Sequence, residues 1–95
     1  MLCLTMRCEV LPGKEEGFDY LTRQLKEFWA GQPGVKSFHE YRLVGSPVRT
    51  IMVEVEDLGA LQRMTETGVE HVTPLRKEFL GYVSRAEYEI LDVIL

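Results

Sequence analysis

Asparagine is absent from this chain, tryptophan occurs once, and cysteine and histidine occur only twice each. Cys3 and Cys8 have no CxxC spacing and no neighbouring histidine, which argues against a structural zinc site. In one extended strand they stand roughly 16 Å apart on opposite faces, too far for a mutual disulfide. They read as packed thiols of a reducing cytoplasm, with a reactive thiol as the other reading. His39 and His71 form no HxH or HxxxH pair, so no metal is expected. Basic residues are also short: 11 Lys and Arg stand against 15 Asp and Glu, for a net charge of −4. They are scattered rather than clustered with aromatics, which disfavours nucleic acid, and an acidic chain is poorly suited to an anionic membrane surface. No run approaches the roughly 20 apolar residues of a membrane span, and the first residues lack the basic start of a signal peptide. A cytoplasmic location is expected. There is no GxGxxG, phosphate loop or nucleophile elbow. Ser37, Ser46 and Ser84 fall at turns or strand ends with no adjacent base.

What the chain has is a globular composition, 45% hydrophobic and 27% charged, over 95 residues read as one domain, 1–95. The most informative segment is Ala86-Glu-Tyr-Glu-Ile-Leu-Asp-Val-Ile-Leu95. Ala86, Tyr88, Ile90 and Ile94 alternate onto one face, and Leu91, Val93 and Leu95 onto the other. A strand that is apolar on both faces needs cover on both. Two helical regions cover one face of a sheet, and a second copy of the chain is the expected cover for the other. The predicted partner is therefore the chain itself, in a homodimer formed through the sheet and strand 86–95.

Periodicity supplies the elements. Residues 2–11 alternate as a strand, with Leu2, Leu4, Met6, Cys8 and Val10 on one face, and Pro12-Gly13 ends it. Phe18, Leu21, Leu25, Phe28 and Trp29 predict a helix from about Lys14 to Ala30, closed by Gly31-Gln-Pro-Gly34. Strands are expected over 35–44, irregular and so at an edge, and over 48–56, joined by the turn Gly45-Ser46-Pro47. Asp57 reads as the N-cap of a short helix to about Thr65. Gly68 interrupts it, Thr73-Pro74 re-starts it, and Gly81 closes it before a last strand from Val83 or Ser84. The order β-α-β-β-α-β predicts an α+β, ferredoxin-like, four-stranded antiparallel sheet with both helices on one face. Strands one and three are expected to be central, parallel neighbours. The open face should carry Arg7, Glu9 and Glu54, with Glu87 and Glu89 or their neighbours.

Three segments carry a resemblance. Val10-Leu-Pro-Gly-Lys-Glu-Glu-Gly-Phe18, Gln32-Pro-Gly-Val-Lys-Ser-Phe38 and Ile51-Met-Val-Glu-Val-Glu-Asp-Leu-Gly-Ala-Leu61 resemble, in order and spacing, the antibiotic biosynthesis monooxygenase-like dimeric α/β-barrel proteins. The resemblance implies a homodimer whose sheets pack into a barrel with helices outside. It also implies a small-molecule pocket between sheet and helices. That family includes cofactor-free quinone-forming oxygenases, haem-degrading enzymes and proteins with no assigned activity, so it does not select a reaction. Val55 stands where family oxygenases often carry Trp, and Met64 stands near the place of a His. Haem-degrading relatives use an Asn on strand one, which this chain lacks, and only His71 can replace their His. No cofactor is expected, with haem as the one alternative.

The candidate site residues are few. Parallel helices would bring Trp29, at the end of helix one, near His71 in the second helical region, where the pair can stack on and polarise an aromatic or carbonyl substrate. The plainer reading is Trp29 in the core and His71 on the surface beside Glu70. His39 and Tyr41 share a face of strand two, as base and hydrogen-bond donor or as edge and interface side chains. The expected function is a small-molecule-binding dimer for an apolar or aromatic metabolite. The alternative is a cofactor-free monooxygenase or isomerase acting on a quinone-like substrate.

Overall fold

A computed structural model describes residues 1–66 and 77–95 in full, and between them only the course of one helix. Strands β1 (Leu2–Val10), β2 (Val35–Arg42), β3 (Val48–Val55) and β4 (Val83–Asp92) alternate with helices α1 (Glu15–Ala30) and α2 (Leu58–Leu80) in the order β1-α1-β2-β3-α2-β4. The sheet runs β2-β3-β1-β4. This is the ferredoxin-like α+β fold expected from the element order, with both helices over one face and β2 at an edge.

All three strand pairings are antiparallel, including β1 with β3, where Leu4 faces Val53 and Met6 faces Ile51. The expected parallel pairing of the two central strands is corrected here. The crossover through α1 makes β1 parallel to β2, and the hairpin between β2 and β3 then reverses the chain before β3 enters between them. The helices that follow β1 and β3 consequently run in opposite directions. Phe18, early in α1, meets Phe79, late in α2, with ring centroids 5.8 Å apart. Gly34, just past α1, abuts Ala60 in the first turn of α2.

The row Leu2, Leu4, Met6, Cys8 and Val10 faces the helices, alongside Ile51, Val53 and Val55 of β3. Phe18, Leu21, Val10, Val55 and Cys8 are the largest side chains removed entirely from solvent. Each large apolar side chain buried this way contributes on the order of 2 kcal/mol. Glu15 and Glu16 occupy the first turn of α1, where negative charge complements the helix dipole. Asp57 caps α2 as predicted, accepting from the Ala60 amide at 2.8 Å. A single helix replaces the two expected stretches. Gly68 and Thr73-Pro74, where the break and the restart are expected, lie outside the described residues.

The turn from α1 to β2 depends on Gly34. Its φ is +83°, and an added Cβ would lie 2.5 Å from the Ala60 methyl. Its carbonyl also accepts from the Glu56 amide at 2.9 Å. Gly34→Ala is expected to cost roughly 2 kcal/mol or more, from the left-handed backbone and the overlap together, read as a lower urea midpoint.

Opposite the helices, the sheet carries Arg7 facing Glu87, Thr5 facing Glu89, and Cys3 facing Glu54 and Leu91. This is the charged face expected from strand alternation. Among the described residues, no helix is long and apolar enough to cross a membrane.

Candidate functional site

A cleft of about 540 Å³ separates the helices from the sheet. Its position results from residue spacing. Leu25 and Trp29 are four apart on α1 and Leu61 and Thr65 four apart on α2, so each pair projects from one helix face. Leu4, Met6, Ile51 and Val53 form its floor from the two central strands, and Phe38 extends the floor onto β2. Tyr88 and Ile90 of β4 form its outer lip. Both are exposed, at 60% and 61%, although they belong to the helix-facing row opposite Met6 and Leu4. One of the two apolar rows of β4 thus lines the mouth of the cleft. The other row, through Leu91, lies on the open face.

Trp29 is 8% exposed and belongs both to the core and to the cleft wall. It packs edge-on against Phe28, with ring centroids 4.7 Å apart at 66°. Its indole N–H has no hydrogen-bond partner among the described residues, and the same holds for the Tyr88 hydroxyl. The Thr65 hydroxyl donates to the Leu61 carbonyl at 2.9 Å, one turn back. The cleft is therefore largely apolar, with an indole edge and a phenol among its polar groups and Thr5 and Glu89 also in its lining. Such a surface suits a flat, largely apolar molecule carrying one or two oxygens.

Of the sequence-predicted candidates, Trp29 lines the cleft and His39 and Tyr41 do not. The expected meeting of Trp29 with the late part of α2 rests on parallel helices. With the helices antiparallel, the end of α1 lies beside the first turns of α2, where Leu61 and Thr65 share the cleft with Trp29, and Phe79 from the last turn of α2 lines it as well. His71 lies outside the described residues. His39 and Tyr41 stand in register with Met52 and Thr50, on the sheet face turned away from the cleft. Their rings are 6.1 Å apart and both are exposed. Tyr88 is the tyrosine at the cleft. Its phase with Ala86 and Ile90 was the available signal. None of the described lining residues is a histidine, so a haem would find no proximal imidazole among them. No group of three metal-ligating side chains occurs among the described residues.

A second arrangement was missed altogether. Arg49, 7% exposed, sits in the helix-facing row of β3 and is the one buried charge among the described residues. Its Nη1 donates to Asp19 of α1 at 2.6 Å and to Glu40 of β2 at 2.7 Å. The guanidinium lies 5.7 Å from the centre of the Phe18 ring. The two carboxylates hold the guanidinium charged, against the burial that opposes its charge. Glu40 Oε1 is buried without a hydrogen-bond partner. The signal was the parity of Arg49 with Ile51, Val53 and Val55, a charge in an otherwise apolar row. Beside it, burial and the nearby Glu40 carboxylate push the Cys8 thiol up to about 11, with Arg49 opposing. Cys3 is raised as well, by burial first and by Glu54. Neither thiol is a thiolate nucleophile at neutral pH.

Comparison with known proteins places the fold. No family model and no curated protein matches the chain. Solved structures do. A protein from Nitrosomonas europaea, provisionally named an antibiotic biosynthesis monooxygenase, superposes with a TM-score of 0.86 at 18% identity over 100% of both chains. The cofactor-independent oxygenase SnoaB of Streptomyces nogalater, in a mutant form, gives a TM-score of 0.81 at 18% identity, covering 99% of this chain and 93% of its own. A conserved protein from Methanosarcina mazei Go1 gives 0.78 at 22% identity, covering 95% of this chain and 89% of its own. The chain thus shares the fold of antibiotic biosynthesis monooxygenase-like proteins, as the three sequence segments suggested.

Proposed function

We propose that this chain is a homodimeric α/β-barrel protein of the cytoplasm that binds a small aromatic or apolar metabolite in the cleft between sheet and helices. The observation that carries this reading is the cleft itself: about 540 Å³, walled by Leu25, Trp29, Phe38 and Leu61, and open at Tyr88. That volume falls within the roughly 300–1,000 Å³ of small-molecule sites. A binding role is the reading taken because the described lining presents no imidazole, thiolate or lysine, and its one carboxylate, Glu89, belongs to the open-face row of β4. Trp29 would stack on the ligand and Tyr88 would donate to a ligand oxygen at the mouth.

Support for the dimer comes from the last strand and the residues beyond its end. Leu91 is 43% exposed, Val93 41%, Ile94 86% and Leu95 115%. Isolated exposed leucines are ordinary, but a contiguous apolar segment at a sheet edge marks an interaction surface. A second copy would bury it against the open sheet face, whose Arg7, Glu87 and Glu89 supply a mixed polar surround. One domain spanning 1–95 completes this reading.

A cofactor-free oxygenase acting on a quinone-like substrate is the second reading. One observation favours it: a protein named as a cofactor-independent oxygenase has the same fold. In that case Trp29 and Tyr88 would hold the substrate, with His71 as the available base.

Trp29 is the only tryptophan, so its emission reports the cleft directly. Titration with 1,4-naphthoquinone is expected to quench it saturably, and Leu61→Trp, which fills the cleft but adds a second emitter, is expected to weaken binding about tenfold or more when read by calorimetry. Quenching that stays linear in quinone, with no saturation, would refute the binding role. Consumption of oxygen with a dihydroxynaphthalene would select the oxygenase reading.

A further inference from the structure

The groove between α1 and the edge strand β2 has a different chemistry from the apolar cleft. It encloses about 460 Å³ and is lined by Asp19, Arg23 and Lys26 of α1, Glu40 and Arg42 of β2, and Arg49 of β3. Four cations meet two carboxylates there, an excess of two positive charges in a chain whose net charge is −4. Both carboxylates are taken by Arg49. Arg23, Lys26 and Arg42 have no carboxylate partner among the described residues. The register sharpens the point, because Arg42 stands directly opposite Arg49 across the β2–β3 pair. Like charges at facing positions destabilise a sheet, and Arg42, unlike Arg49, has no carboxylate partner among the described residues to offset this.

The donor inventory agrees. Arg49 spends only Nη1 on its two carboxylates, which leaves Nε and Nη2 without a described protein acceptor. A planar guanidinium with free donors on one edge fits the oxygens of a phosphate or carboxylate. Glu40 contributes the opposite need, a buried carboxylate oxygen that lacks a donor. A ligand hydroxyl would supply that donor once the Glu40 side chain turns this oxygen into the groove.

We propose that this groove is a second binding site, distinct from the apolar cleft, that takes a small phosphomonoester bearing a free hydroxyl. The phosphate carries about two negative charges at neutral pH, which matches the local excess. Arg23, Lys26 and Arg42 surround it, Arg49 binds it from the interior side, and a hydroxyl of the same molecule donates to Glu40. Phe38 is common to the groove and the cleft, so the two sites share a wall.

The test is calorimetric titration of the intact protein with glycerol 3-phosphate at neutral pH and fixed ionic strength, with glycerol and inorganic phosphate as separate titrants. Glycerol 3-phosphate is expected to bind saturably and more tightly than inorganic phosphate, and glycerol alone not at all. Arg23→Ala and Arg42→Ala, both at exposed positions, are expected to weaken binding roughly tenfold each while leaving the melting temperature within a few degrees. Glu40→Gln is expected to erase the advantage of glycerol 3-phosphate over inorganic phosphate. Vesicles of phosphatidylcholine with phosphatidic acid present the same head group on a lipid. Binding to the vesicles without binding to the soluble ester would overturn the assignment to a free metabolite. Absence of saturable heat up to millimolar ester, or unchanged affinity in both arginine variants, would overturn the site itself.

Discussion

Leu91→Asp is expected to turn the proposed dimer into a monomer of about 11.0 kDa, or to leave the protein insoluble. Leu91 faces Cys3 on the sheet surface opposite the helices and is 43% exposed in the single chain. In a two-fold dimer the substitution acts twice, once on each side. Each copy would place an unpaired carboxylate in an apolar contact, at a cost of about 2–3 kcal/mol, so association weakens by a factor of a hundred or more. Light scattering coupled to size exclusion reads the outcome. Leu91 belongs to neither the cleft lining nor the hydrophobic core cluster, so folding of the single chain is not what the substitution is expected to remove. A variant that keeps the mass of the parent protein would show that the interface lies elsewhere.

Arg49→Met is the second large effect. Methionine keeps an unbranched apolar stem beside Phe18 and removes the charge that Asp19 and Glu40 share. Two carboxylates are then left without their cation, and one of them, Glu40, already carries a buried and unpaired oxygen. Breaking a buried ion pair from one side costs about 3 kcal/mol, at the low end of the usual range because Asp19 is 36% exposed. For a chain of this size that corresponds to a melting temperature roughly 10 °C lower or more. Adding Asp19→Asn and Glu40→Gln to the same chain should recover much of the loss, since the repulsion and part of the desolvation go with the charges. A triple variant no more stable than Arg49→Met would mean that the arginine acts through packing on Phe18 rather than through charge.

These two positions also show what the sequence made legible. Period-two alternation placed the strands, helical spacing from Phe18 to Trp29 placed α1, and Asp57 marked the start of α2. Each is a local signal, carried by neighbours in the chain. The same alternation assigned Arg7, Glu9 and Glu54 to the open face. Strand direction is not local. Whether β1 and β3 run parallel depends on where the hairpin returns the chain, and the antiparallel pairing removes the parallel-helix argument that joined Trp29 to His71. The groove around Arg49 was hidden for the same reason. Asp19, Glu40 and Arg49 come from three elements, and each alone reads as an ordinary charged residue on a helix or strand. Only the phase of Arg49 with Ile51 and Val53 betrayed a buried charge. The apolar rows of β4 were read as needing cover, but one of them proved to face the cleft. Tyr88 and Ile90 border a cavity, and Leu91 remains for the proposed partner.

A dimer with an apolar ligand cleft makes two demands at once, and native mass spectrometry of the purified protein with and without 1,4-naphthoquinone checks both in one spectrum. The expected species has twice the 11.0 kDa chain mass and gains the mass of bound quinone, and the gain is lost in the cleft-filling Leu61→Trp variant. A monomer, or a dimer that takes up quinone equally well with the cleft filled, would contradict the proposed function.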